Sequence, residues 1–148
     1  MSGEDLRALA AREAGRLELR EIFGTPEPPP VADGPEVTPD LIEWLNLALG
    51  PRDAGFAIGA VEARSDFGKS KYGQTLRLGD RRDSGKEAAQ ELADFLQYAH
   101  KFRMQKPAQA EIRRFLRLNG PLLRAARLIY GVLCAESGTV TGPEVDEP

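Results

Sequence analysis

Residues 55–78, GFAIGAVEARSDFGKSKYGQTLRL, decide how the middle of this chain is read. Gly55–Arg64 and Tyr72–Leu78 have the length and apolar content of two short strands. The polar SDFGKSKYG segment around their junction suits a long hairpin loop. Glycines 55, 59 and 73 weaken both strands, because glycine raises the entropic cost of ordering and offers no side chain to pack. The stretch predicts a β-hairpin in a chain whose other apolar segments have helical spacing.

Immediately upstream, Thr38-Pro39-Asp40 opens a short helix, LIEWLNLALG, with a capping threonine, proline at the first helical position and Gly50 as its stop. Leu41, Trp44, Leu45 and Ala48 form its apolar stripe, and Trp44, the single tryptophan, is read as core. Further back, GTPEPPPVADGPEV (24–37) is proline-rich; it lacks amide donors and favours extended backbone, so it reads as a semi-rigid tether rather than helix or sheet. Residues 3–23 place Leu6, Leu9, Ala10, Ala14, Leu17 and Ile22 roughly at helical spacing, with Ser2 and Asp5 as the start signal.

Downstream, Ser84 starts a long helix whose Ala88, Leu92, Phe95, Leu96, Ala99, Phe102 and Arg103 recur with the 3.6-residue period, and Pro107 ends it. AQAEIRRFLRL reads as a shorter helix stopped at Asn119-Gly120, and Pro121 as the opening of a last, apolar helix that ends near Gly138. The predicted fold is therefore α+β and predominantly α-helical: an N-terminal amphipathic helix (1–23), a Pro-rich linker (24–37), a globular helical domain with a β-hairpin and a C-terminal three-helix bundle (38–138), and an acidic flexible tail (139–148).

Charge gives the clearest functional lead. The net charge of −3 conceals an uneven distribution. Residues 1–50 carry ten acids against four arginines, whereas His100–Gly131 carries eight basic residues and one acid, Glu111. A helical surface of one sign calls for an anionic partner or for water. Arginine outnumbers lysine fifteen to five, which suits bidentate phosphate contacts, but the Ala, Gly and Pro content favours a GC-rich coding sequence as its origin.

Several motifs imitate chemistry without its requirements. Gly68-Lys69-Ser70 resembles the end of a phosphate-binding loop, but position 63 is alanine where that loop needs its first glycine. Asp66-Phe67-Gly68 has neither the catalytic loop nor the glycine-rich loop of a kinase beside it. One histidine, His100, and one cysteine, Cys134, cannot close a four-ligand zinc site. Glu87, Glu91 and Asp94 share a helix face, where acids near the N-terminus meet the positive end of the helix dipole. No catalytic residue, metal or cofactor is therefore expected. Cys134, beside Val132 and Leu133, reads as an inert thiol, and the absence of a signal core or a membrane-length apolar run points to a cytoplasmic protein with no membrane partner.

Two basic surfaces remain. In the expected hairpin loop, Phe67 and Tyr72 bracket Lys69 and Lys71, offering rings to stack on bases and ammonium groups for phosphates. In the rear bundle, Arg113, Arg114 and Arg117 face outward, and Arg124 and Arg127 neighbour each other. Packed as a hairpin through a tight Asn119-Gly120-Pro121 turn, these five arginines would form one cationic ridge. The expectation is a non-enzymatic nucleic-acid-associated subunit, RNA- or DNA-binding, that works inside a larger nucleoprotein assembly with a partner protein and without a small-molecule substrate. Small helical subunits of ribonucleoprotein effectors share this character by size and charge. The alternative is a protein–protein adaptor or regulator whose first helix and Pro-rich tether engage a partner.

Overall fold

The computed structural model describes residues 2–29, 31 and 33–138. Among them stand five helices: α1 (Gly3–Gly24), α2 (Val37–Ala48), α3 (Pro51–Tyr72), α4 (Ser84–Met104) and α5 (Gln109–Ser137). The expected acidic tail, 139–148, lies outside the described residues.

The β-hairpin is corrected: the described residues contain no sheet, and 55–72 belong to one helix. Gly50 is the N-cap and Pro51 stands in the first turn, where its missing N–H costs nothing. Asp53 meets the positive end of the dipole, and Lys69 and Lys71 the negative end. Gly73, at φ 75°, closes α3 in the left-handed region and donates its N–H to the Lys69 carbonyl at 2.8 Å. Ala54, Ala57, Ile58 and Val61 recur at helical spacing and turn inward. Gly55 and Gly59 fall on the exposed side, with nothing near a would-be Cβ. They cost the helix about 1 kcal/mol each relative to alanine, and burial of the other face outweighs that.

The second predicted strand pairs elsewhere. Val37 N–H donates to the Leu76 carbonyl (3.0 Å), Leu78 N–H to Pro35 (3.0 Å) and Gly79 N–H to Asp33 (3.1 Å), around one antiparallel bridge between Glu36 and Arg77. The end of the proline tether is thus a pairing partner, contrary to its reading as free of sheet contacts. The approach is close: a Cβ on Gly79 would stand 3.0 Å from the Asp33 carbonyl oxygen, and one on Gly34 3.1 Å from Gly79 N. Arg77 fastens it, donating to the Gly34 carbonyl at 3.0 Å and to Glu36 at 3.4 Å.

The chain divides into two compact units, Met1–Val31 with Asp80–Lys106, and Ala32–Gly79 with Pro107–Pro148. The second holds the apolar core. Leu45 of α2, Ala57 of α3 and Ala125 of α5 are buried together, with Leu41, Trp44, Leu49, Ile58 and Val61 packed around them. Trp44 joins this core as expected. The small side chains of Ala54, Ala57 and Ala125 let three helix backbones approach closely, and full burial of Leu45 contributes about 1.5–3 kcal/mol. Thr38 lies inside α2 instead of capping it, and its hydroxyl donates to Ser65 Oγ at 3.3 Å.

The three-helix C-terminal bundle is corrected as well. Residues 109–137 form one helix that runs through Asn119-Gly120-Pro121 without a turn. An interior proline removes one helical hydrogen bond and crowds the preceding turn, at about 3 kcal/mol. Pro121 is buried, and Ala125, one turn later, enters the core. Asn119, read as part of a stop, donates its Nδ2 to the Phe115 carbonyl at 2.9 Å within the helix. The packed face carries the helix past its local stop signal.

The first unit is built on polar contacts. Its buried positions are Asp80 and Lys86. Lys86 Nζ donates to the Thr25 carbonyl at 2.5 Å and pairs with Glu27 at 3.1 Å, tying the start of the tether to the first turn of α4. Asp83 caps α4 by accepting from Lys86 N, and Arg82 pairs with Glu87. At the far end of this unit, α1 begins with a capping box between Ser2 and Asp5.

Candidate nucleic-acid interface

Because α5 is continuous, its arginines are set by a single helical rotation of about 100° per residue. Arg113, Arg117 and Arg124 fall within about 40° of arc, and Arg127 lies next to them on the same flank. The stripe from Arg113 to Arg127 is about 21 Å long, the rise of roughly six nucleotides along one duplex strand. Arg114 stands apart, in line with Pro121 and Ala125 on the side that enters the core two to three turns later. The five arginines named from sequence therefore divide into a stripe of four and one outlier.

The four are not equally available. Arg124 Nε donates to Asp53 Oδ2 at 2.8 Å, so its charge is shared with the first turn of α3. Arg113, Arg117 and Arg127 are exposed and have no hydrogen bond or ion pair among the described residues. Asp53 is the functional neighbour that sequence reading missed. Its signal was its place two residues after Pro51, where a helix can start, between the predicted short helix that ends at Gly50 and the predicted strand that begins at Gly55.

The second set, Phe67, Lys69, Lys71 and Tyr72, lies on the last two turns of α3 and not on a loop. Both rings are exposed, Phe67 at 58 % and Tyr72 at 56 %. Each already carries a cation: Arg64 Cζ is 5.3 Å from the centre of the Phe67 ring and Lys71 Nζ 5.0 Å from that of Tyr72. Helical spacing puts Arg64, Phe67 and Lys71 on one face and Lys69 on another. Arg64, at i−3 from Phe67, is a member of this group that the hairpin reading put at the end of the first strand.

His100, Arg103, Met104 and Lys106 line an open cleft of ≈330 Å³ at the end of α4. Among the described residues no group of His, Cys, Asp and Glu side chains gathers as a metal site would require, and no helix is long and apolar enough to cross a membrane. The carboxyl of Asp5 is held below its ordinary range by the Ser2 hydroxyl and then by the Ser2 backbone N–H. No family model matches this chain, and no match is found among curated proteins or solved structures.

Proposed function

We propose that this protein is a non-enzymatic nucleic-acid-associated subunit that holds a phosphate backbone with the arginine stripe of α5. The observation that carries the reading is the alignment of Arg113, Arg117 and Arg127 on one side of a single helix, exposed and without an acid partner among the described residues. Guanidinium groups so placed pair with phosphate in a fork geometry and release counterions as they do so. The Arg64–Phe67–Lys71 face of α3 supplies a second contact, in which a ring already flanked by a cation stacks on an unpaired base. A stripe of this length holds a backbone and reads no base edges, so the protein works as part of a larger nucleoprotein assembly that supplies sequence or structure selection.

The test is an electrophoretic shift with single- and double-stranded DNA and RNA at two salt concentrations. Three free arginines predict a slope of log K against log salt of about −2 to −3. Double charge reversal, Arg113→Glu with Arg117→Glu, should weaken binding to every sequence and flatten that slope by about 2. Arg114→Glu, off the stripe, should do far less. Equal losses from both variants would sink the stripe.

A second reading, an adaptor or regulator acting through α1, rests on a different observation. No residue of α1 is buried, and Leu6, Leu9 and Leu17 are each more than half exposed. A helix so exposed fits the groove of a partner protein. Removal of residues 1–24 should abolish that partner's binding and leave nucleic-acid binding intact. Loss of both together would count against a separate role for α1.

A further inference from the structure

α5 carries a second apolar surface on the side away from its own core. Ile112, Leu116, Leu123, Ala126, Tyr130 and Leu133, with Asn119 between Leu116 and Leu123, follow one another at alternating steps of four and three residues. That 3.5-residue repeat is the seam of a coiled coil, sustained over three heptads. It lies roughly opposite Pro121 and Ala125, the buried residues of α5. Leu116, Leu123, Tyr130 and Leu133 are 61, 43, 69 and 57 % exposed.

We propose that this seam is a dimer interface, occupied by α5 of a second copy of the chain in a parallel, in-register pair. Three features select that occupant. The area fits: adjoining large side chains along about 32 Å of helix present several hundred Å², near the ~800 Å² that one partner gives to a standard interface. A monomer rarely leaves so large an apolar patch uncovered. The seam's polar member asks for its own kind. Asn119 spends one N–H on the Phe115 carbonyl, which leaves its second N–H and its carbonyl oxygen to a partner. In a parallel, in-register pair Asn119 meets the Asn119 of the other copy, an amide with both donor and acceptor.

Charge then selects the orientation. Arg113 and Arg127 flank the seam on one side, and Phe115, Leu122 and Ile129 flank it on the other. A parallel pair sets the arginine edge of one helix against the apolar edge of its mate, where arginine stems cover leucine. An antiparallel pair would set Arg113 near Arg127 of the second copy, like charges in contact. This inference stands apart from the nucleic-acid reading and does not need it.

The test is sedimentation equilibrium of the full chain at micromolar concentration, with no nucleic acid present. A dimer is expected for the native sequence. A monomer is expected for Leu123→Asp and for Tyr130→Asp, each with an unchanged helical circular-dichroism spectrum and a cooperative melt. In a Cys134→Ser background, Ala126→Cys should give a covalent dimer on mild oxidation, because only the parallel register brings the two 126 positions within disulfide reach. A native chain that stays monomeric overturns the proposal. So does a dimer that survives both aspartate variants, which would place the interface elsewhere. Dissociation by the aspartates without a cross-link at 126 overturns the parallel register.

Discussion

Arg124 of α5 and Asp53 of α3 are joined by a 2.8 Å bond from Nε to Oδ2, and this pair sets how much of the arginine stripe is free. Both side chains keep substantial contact with water, 55 % for Arg124 and 33 % for Asp53, so the pair contributes at most about 1 kcal/mol to stability. Its larger effect is on charge. Asp53→Ala should cost about 1 kcal/mol and release Arg124. Nucleic-acid affinity at low salt should rise, and the salt slope should steepen by about 1. An unchanged slope in a folded variant would show that Arg124 never reaches the phosphate.

Pro121 opposes the helix that contains it. Pro121→Ala restores a backbone donor and relieves crowding, worth about 3 kcal/mol, and it removes about two methylenes from a buried position at about 0.8 kcal/mol each. The variant should be more stable by about 1 kcal/mol and should melt a few degrees higher. A lower melting temperature would mean that the ring packs better than its size indicates.

Lys86 holds the tether in the first unit. Lys86→Met leaves Glu27 and the Thr25 carbonyl without their cation. Because Glu27 keeps some solvent, the cost should be about 2 kcal/mol, below the roughly 3–5 of a fully buried pair. Denaturant unfolding measures it. Faster hydrogen exchange at Asp83, whose N–H donates to Glu27, should accompany the loss. Adding Glu27→Leu should recover part of the stability, since no unpaired charge then remains.

The capping box of α1 responds to acid. Hydrogen bonds from Ser2 hold the Asp5 carboxyl below its ordinary value of 3.8. A lowered folded-state value means that the contribution is complete above the unfolded value and is lost as the pH falls through the lowered one. Amides in the first turn of α1 should therefore begin to lose protection only below that ordinary value. Asp5→Asn, which cannot titrate, should remove the acid-dependent step, and a step that persists would assign it to another carboxylate.

Much of the helical content was legible along the chain. The capping residues Ser2 and Asp5, the 3.6-residue repeat from Ala88 to Phe102, Pro107 as a stop, and Trp44 within an apolar stripe all act locally. The outward placing of Arg113 and Arg117 was legible in the same way, whereas their alignment with Arg127 required α5 to be continuous. Residues 55–78 failed because an alanine- and glycine-rich segment has no strong local preference. Ala54, Ala57, Ile58 and Val61 do keep the i, i+3, i+4, i+7 spacing of a helix face, but Gly55 and Gly59 lie between them, and packing against α2 and α5 decides for the helix.

The sequence by itself determined the charge asymmetry, the start of α1 written in Ser2 and Asp5, and the apolar repeats of α2 and α4, since each needs only neighbours within a few residues. Tertiary structure decided that α5 passes through Pro121, and it settled α3 as a helix where the local signals of Pro51, Asp53 and Gly73 competed with the strand-like pattern of 55–64. It also decided that Arg114 leaves the stripe and that Asp53 holds Arg124. The physical reason is one of range: a glycine or proline penalty of about 1–3 kcal/mol is local, and only the burial of a shared face among α2, α3 and α5 is large enough to reverse it.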